Sequence, residues 1–443
     1  MLKKMQALWK DCKMESIIKR LRTFNWRLFV ALCALFLVPA LYQTFKTFII
    51  SVNTPGSAFD IIGQMEWFDL INETLHAFLI IPLYSILNRI FKEDKDNFTF
   101  HTFKTGLAAF AAYALFSAGV LIYGGVLVKA MNFSRGGEID IVTTNIYLKL
   151  ETVAFMLGIA VSFMNVVFVV VGKSKNVYIF LAIKTILSVI SDFILIPAFG
   201  IYGIAVSNII VNVLLAISSF ILLYRQKYIR FALFHKTDLS VLKEWTKVGV
   251  FSGAQQFVDN FVYAVMVCKM VNMVAEQGNY WIANNFIWGW MLIPVTALSE
   301  IIRRDCKEGY KNLFQSNYYI IGAGTVLLWA ITMPFWTPFF KYAEHLPNSS
   351  EIFKIVLKLS PFYVAYIGCS IIDNIFTGLG KTYYNLINSL IINIVYYGIF
   401  FALYLAKAIT FNMNTIIFMF GFGMIFHFII SLVEEKRFLR KEI

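Results

Sequence analysis

FMNVVFVVVGKSKNVYIFLAIKTI (residues 163–186) and CSIIDNIFTGLGKTYYNLINSLII (369–392) follow one plan: an apolar run, a Gly-Lys-Ser/Thr turn, a second apolar run. Gly172 and Gly380 stand 208 residues apart. A Walker A reading of these turns fails. That motif needs another Gly five residues earlier, after a strand, where this chain has Val167 and Ile375 inside apolar segments. The turns read instead as a helix C-cap Gly followed by an interfacial Lys. Pro39 in the first apolar segment has a partner position at Ser252, and the longest central loop (225–246) divides the chain near its middle. Six helices plus six in parallel repeat is the simplest account.

Working outward from the turns, the 443 residues are 59% hydrophobic and 15% charged, with mean hydropathy +0.69. A soluble enzyme is excluded by that balance. A membrane-crossing helix needs about 20 mostly apolar residues. Such segments lie at roughly 28–52, 61–88, 105–128, 143–171, 177–197, 201–224, 247–274, 279–301, 317–340, 352–378, 384–405 and 413–433. The fold class is therefore an all-α integral membrane protein of twelve transmembrane helices. Residues 1–26 read as a basic amphipathic cytoplasmic segment and not a cleaved signal peptide. The expected divisions are a six-helix lobe over 27–224, a linker over 225–246, a second lobe over 247–433 and a tail over 434–443.

A net charge of +13 would raise nucleic acid as a partner in a soluble chain. Here it maps a membrane face. With the N-terminus inside, 29 of the 39 Lys and Arg fall in inner segments and 4 in outer loops. The positive-inside rule then sets both termini in the cytoplasm, with the chain in the plasma membrane. Five scattered Cys without a CxxC pair, no His–Cys pair, no HExxH and no Gly-x-Ser-x-Gly leave no expected metal, cofactor or catalytic residue.

The stretch GKSKNVYIFLAIKTILSVISDFILIPAFGIYGIAVSNII (172–210), with Asp192, Gly200, Gly203 and Ala205, resembles the fourth-to-sixth-helix signature of the multidrug and toxic compound extrusion (MATE) family. FTGLGKT (376–382) is similar to its second-lobe copy. That family belongs to the multidrug/oligosaccharidyl-lipid/polysaccharide flippase superfamily. The resemblance implies two six-helix lobes around a central cavity, and efflux of small molecules driven by proton or sodium entry.

Ionisable residues at membrane depth are costly and mark candidate sites. Span 7 carries Asp259 with Gln255, Gln256, Asn260 and Tyr263 close by; FVD looks like the family's second-lobe acid position. Span 10 carries Asp373 beside Ser370, while the family's acid falls at Tyr366, two turns nearer the outside on the same face. The first-lobe counterpart of Asp373 is Asn165. Span 2 holds Glu66, Asp69, Glu73 and His76 within about 80° of one helix face. Three carboxylates there cannot all ionise cheaply, so one is expected to hold a proton or share a cation. The span 1 acid of many relatives is missing, and Lys46 is expected to pair with the span 2 acids. Lys149/Glu151, Lys184/Asp192, Lys269, Glu300 and His427 read as structural pairs or interfacial groups.

The expected ion-coupling set is Asp259, Asp373, Glu73, Asp69 and Glu66. The expected substrate cavity takes in Gln255, Gln256, Asn260, Tyr263, Asn284, Tyr366, Ser370 and His76, among aromatics that include Trp281, Phe286, Trp288, Trp290 and Tyr363. Aromatic faces beside an acid suit an amphipathic organic cation. The expected protein is a monomeric cation antiporter working by alternating access. Two alternatives stand beside it: a flippase for lipid-linked sugars, expected to have a basic cavity and often fourteen spans, and a membrane enzyme, for which no nucleophile or His/Asp pair has recognisable spacing.

Overall fold

In hydrocarbon an unpaired backbone N–H or C=O costs several kcal/mol, so each long apolar run must close its hydrogen bonds as a helix. The computed structural model describes residues 24–94, 97–131, 141–230, 239–272, 274, 277–306 and 315–442. They form twelve helices or broken helices: α1 Trp26–Asn53, α2 Ser57–Glu93, α3 Phe98–Met131, α4 Ile141–Val170, α5 Ser174–Phe199 and α6 Ile201–Arg225, then α7 (239–271), α8 (277–305), α9 Gln315–Ala343, α10 Ser349–Gly378, α11 Tyr383–Leu405 and α12 Met413–Glu442. Ten are long and apolar enough to cross a membrane, and α8 makes an eleventh if its two parts, bent by 52°, count as one span. Pro294 sits at the start of the second part, where its missing N–H is tolerated. The remaining helix, α7, is too polar for that test; it carries Lys243, Glu244, Lys247 and Asp259 and is π-helical over Phe257–Cys268. One face of it packs on α2, α11 and the N-terminal half of α12, while Val250, Phe257 and Phe261 are exposed.

Packing repeats with an offset of six helices. The largest contacts within the first half are α4 with α6 and α3 with α4; in the second, α10 packs on α12 and α9 on α10. Contacts of α1 with α5 and of α2 with α4 likewise recur as α7 with α11 and α8 with α10. The Gly-Lys turns are the same object twice. Gly172 has φ +73° and Gly380 φ +71°. Lys173 N–H donates to Phe168 O at 2.7 Å and Lys381 N–H to Phe376 O at 2.8 Å, while Gly172 and Gly380 donate to Val169 O and Thr377 O, each at 3.1 Å. Both are Schellman caps, in which the left-handed residue costs least as Gly.

The halves meet where α1 packs on α8 and α2 on α7 and α8. Helix α2 is interrupted at Met65 and Ile80. Pro82 removes a donor and crowds the carbonyl one turn back. The exposed carbonyls face α7: the Trp245 indole donates to Leu79 O at 2.9 Å, and a side chain on Gly249 would come within 2.6 Å of Phe78 O. Arg89 and Glu244 form an ion pair at the basic-loop end of the same seam. At the opposite end the halves are latched. Gln277 donates to Gly63 O at 2.7 Å, Asn272 to Gln64 O at 3.1 Å, and Gly278 N–H to the Asp60 carboxylate at 2.6 Å. The Ser51 hydroxyl also donates to His345 O at 2.6 Å.

The amphipathic segment expected at 1–26 lies outside the described residues as far as residue 23. Of the expected linker, 231–238 lies outside them, and α7 already begins at Leu239. The expected tail from 434 is helical, continuous with α12.

Candidate functional site

Among the described residues, two cavities with charged linings lie between the helices, one in each half, and the acidic face of α2 reaches both; a smaller apolar pocket of 160 Å³ lies between α3, α4 and α6. Glu66 and Glu73 are seven residues apart, hence about 10 Å along the axis. Glu66 lines a pocket of 220 Å³ formed mostly by the second half. Glu73 and His76 line a cavity of 690 Å³ in the first half. Asp69 lies between them on the same face.

The larger cavity is walled by α2, α4, α5 and α6 in the half of the membrane nearest the basic loops. Its polar groups include Asn72, Glu73, His76, Tyr113, Glu151, Asn165, Lys184, Asn208, Asn212 and Gln256. Glu73 accepts from Asn260 of α7 at 3.0 Å, and Asn72 pairs with the Tyr113 hydroxyl. Glu151, 8% exposed, accepts from Asn208 at 3.1 Å. Asp192 is fully buried; Tyr42 of α1 donates to one of its oxygens at 2.7 Å, and the other has no partner. Lys46 stands within electrostatic reach of Asp69 and Glu151. It makes no ion pair with the span 2 acids among the described residues, so the direct pairing expected from the sequence is not formed. Glu151 and Asp192 also do not pair with Lys149 and Lys184. Lys149 and Glu151, two apart on a helix, face different ways, and Lys184 stands about 12 Å along the axis from Asp192; each acid finds a neutral partner on another helix.

The smaller pocket is a cage of rings. Tyr263, Tyr280, Trp281, Trp288, Tyr363, Tyr366, Tyr397 and Phe420 line it with Glu66 and Asn284. Tyr280 stacks on Phe420 at 5.7 Å between centroids, and Trp288 meets Tyr366 edge-on at 5.1 Å. The Tyr363 hydroxyl donates to Asn284 at 3.4 Å. Gly63, Asn272 and Gln277, which latch the halves, also line this pocket. The latch is its lid.

The remaining residues singled out in the sequence are distributed as follows. Gln256 and His76 face the larger cavity; Tyr263, Asn284 and Tyr366 face the smaller. Asn260 is buried at the α2–α7 contact, donating to Glu73 and to Leu70 O. Asp259 accepts from Asn393 of α11 at 3.3 Å and lines neither cavity. Ser370 is buried against Ser299 and Asn374. Asp373 accepts from Ser431 at 3.0 Å and pairs with His427 Nε2 at 2.9 Å, outside both cavities. The Gln255 side chain lies outside the described residues. Phe286 packs against Trp336, Phe339 and Phe340, and the Trp290 indole donates to Thr44. Tyr280, Tyr397, Phe420, Tyr42 and Asn208 were not legible in the sequence. Their only signal is a polar or aromatic group on an apolar helix, and this chain has dozens.

No protein-family model matches the chain, and no curated protein matches it in sequence. Solved structures do match. An inward-facing multidrug resistance MATE family transporter of the MOP superfamily aligns with a TM-score of 0.73 at 15% identity, over 90% of this chain and 94% of that one. The chain shares the fold of that transporter. An outward-facing structure of a MATE family transporter gives 0.60 at 18% identity, covering 95% of this chain and 97% of that one. The lipid II flippase MurJ in an inward closed conformation gives 0.70 at 12% identity, covering 92% and 87%. A MOP superfamily transporter from Pyrococcus furiosus, described as having a binding pocket of reverse polarity, gives 0.64 at 17% identity over 94% and 96%. The shared fold agrees with the twelve-helix, six-plus-six reading.

Proposed function

We propose that the chain is a secondary transporter that expels an amphipathic organic cation by alternating access, in exchange for a proton or sodium ion. The observation that carries this reading is Glu66 in the aromatic pocket. A lone carboxylate among eight rings offers a cation both a counter-charge and π faces, each worth roughly 0.5–2 kcal/mol once water is excluded. An anion gains nothing comparable from such a lining.

The geometry supports a cycle. In the conformation described, the pocket is shut from the outside by Gln277, Asn272 and Gly278, and the larger cavity occupies the half nearest the basic loops. Separating the latch would open the pocket outward, with the α2–α7 seam as the pivot. The coupling ion is assigned to Glu73 and Glu151 of the larger cavity and to Asp69 one turn from Glu73, with Lys46 supplying positive charge nearby. Expelling a solute against a hundredfold gradient costs about 2.8 kcal/mol. One cation entering down about 100 mV returns roughly 2.3 kcal/mol, before any concentration term. One exchangeable carboxylate is therefore sufficient.

The test is ethidium transport in proteoliposomes under imposed pH or sodium gradients. Glu66→Gln is expected to lose dye binding and transport together, whereas Glu73→Gln keeps dye binding and loses the response to the gradient. If both variants transport like wild type, the reading fails. A second reading, flipping of an anionic lipid-linked substrate, draws on Lys184 in the larger cavity and on the likeness to MurJ. Lipid flipping without dye transport would favour it.

A further inference from the structure

Asp373 and His427 belong to a cluster that neither cavity uses. Helices α10 and α12 are among the most closely packed pairs of the second half. Cys369 and Asp373 are four apart on α10; His427, Ser431 and Glu434 are four and three apart on α12. These spacings put each set on one helix face, and the two faces meet. The Cys369 sulfur, an Asp373 oxygen and a His427 ring nitrogen all lie within 4.8 Å of one another. From the geometry we propose that Cys369, Asp373 and His427 form a binding site for a single zinc-like divalent transition-metal ion, clamping α10 to α12.

The donor set decides the class of ion. A sulfur, an imidazole nitrogen and one carboxylate oxygen suit borderline ions such as Zn²⁺, whereas Na⁺, Mg²⁺ and Ca²⁺ call for oxygen alone. Ligands on tetrahedral zinc stand about 3.2–3.8 Å apart. His427 Nε2 and Asp373 Oδ2, at 2.9 Å, are nearly there already, and the sulfur has about 1 Å to travel. Cys369 is 1% exposed, with its thiol directed to Tyr366 O of its own helix turn.

The surroundings are those of a held ligand. Ser431 fixes the second Asp373 oxygen at 3.0 Å and is itself held by Asn388 at 2.7 Å. Such partners orient a ligating carboxylate. Glu434, 4% exposed, lies within electrostatic reach of Asp373 and His427 and adds negative charge beside the ion. On binding, the Cys369 thiol releases its proton to solvent, and the proton shared between His427 Nε2 and Asp373 leaves that hydrogen bond, so that the imidazole binds the ion through Nε2 and carries its proton on Nδ1. Water takes the fourth position. His427 is the most exposed of the three and opens the route of entry. The site stands independently of the transport reading, since it touches neither cavity.

Cobalt titration of the full-length protein in detergent tests this. Wild type should bind one Co²⁺ per chain, with tetrahedral d–d bands and a near-ultraviolet thiolate-to-cobalt band, and should lose both on adding Zn²⁺. Cys369→Ser should abolish the thiolate band, and His427→Gln should weaken binding roughly tenfold or more. Both variants keep the Asp373–Ser431 contact, and size exclusion checks that they remain folded. The outcome does not depend on Asp373→Asn, the variant most at risk of misfolding. Absence of saturable one-equivalent binding, a spectrum without the thiolate band, or bands unchanged in Cys369→Ser and His427→Gln would each overturn the proposal.

Discussion

The two cavities sit in halves that share a packing scheme and differ in nearly everything else. The first-half cavity is large, with Glu73, Glu151, Lys184 and several asparagines on its walls; the second-half pocket is a third of the volume and sets eight aromatic rings around a single carboxylate. Packing between helices α4 and α6 is mirrored by α10 and α12, yet Asn165 on α4 faces the open cavity while Asp373 on α10 is drawn into a pair with His427. Duplication thus preserved what lipid imposes, namely helix lengths, caps and neighbours. The few polar positions were free to diverge, and the chemistry of each half follows from them. Helix α2 breaks the symmetry further by carrying an acid of the first half into the pocket of the second.

The largest expected effect separates the cavities by a single charge. Glu66→Gln should weaken tetraphenylphosphonium or ethidium binding at least tenfold, about 1.4 kcal/mol, read from quenching of tryptophan fluorescence in a pocket that holds Trp281 and Trp288. Glu73→Gln should leave that binding within twofold. Equal losses would mean that the two cavities act as one.

The latch offers the next test. Asn272→Ala with Gln277→Ala removes two of the bonds that join the halves beside the pocket, on the side where the proposed cycle opens outward. Cys268 lines the pocket and is buried behind that lid. Its reaction with a membrane-impermeant maleimide added from outside should accelerate severalfold, and Cys268→Ala should remove the gain. No acceleration would mean that the latch does not gate the pocket.

A smaller effect probes the duplication itself. Gly172→Ala and Gly380→Ala each force a side chain into the left-handed region with open space around it. The cost should be about 1 kcal/mol at each site, seen as matched drops in melting temperature. Unequal drops would show that the two caps are alike only in shape.

The smallest effect lies in the turn that follows α9. Burial pushes the Glu344 carboxyl up to about 8, and one of its oxygens has no partner. Between the ordinary carboxylate range and about 8, the folded chain keeps a proton that the unfolded chain has lost. Stability from this residue therefore falls as pH rises through that window. Glu344→Gln should raise the melting temperature by a few degrees at pH 8.5 and leave it unchanged near pH 4. Because Ser51 of the first half bonds to the neighbouring His345 carbonyl, the same variant should also slow Cys268 labelling at pH 8.5.

The spans read from the sequence agree with the helices to within a few residues, except at the inner ends of α2, α3, α7 and α12, where the helices run on past the apolar stretch into polar sequence. That accuracy has a physical basis, since in lipid the backbone must satisfy itself locally. The Gly-Lys turns were legible for the same reason, being caps made within one helix end. The sites were only half legible. Span 2 announced its acids, and span 8 its tryptophans. Glu151 and Asp192 looked like members of local pairs, and His427 looked incidental, because their partners Asn208, Tyr42 and Asp373 lie 57, 150 and 54 residues away.

By itself the sequence determined the number of helices, their ends, the duplication and the face of α2 that carries charge, because hydropathy, helical period and capping act over neighbouring residues. Tertiary structure alone decided that Glu66 meets the rings of the other half, that Lys46 stands off from the acids it was expected to pair with, and that Cys369 reaches His427. Those outcomes depend on how each helix is rotated and paired with its neighbours, and long-range packing of apolar helices leaves no local trace in the chain.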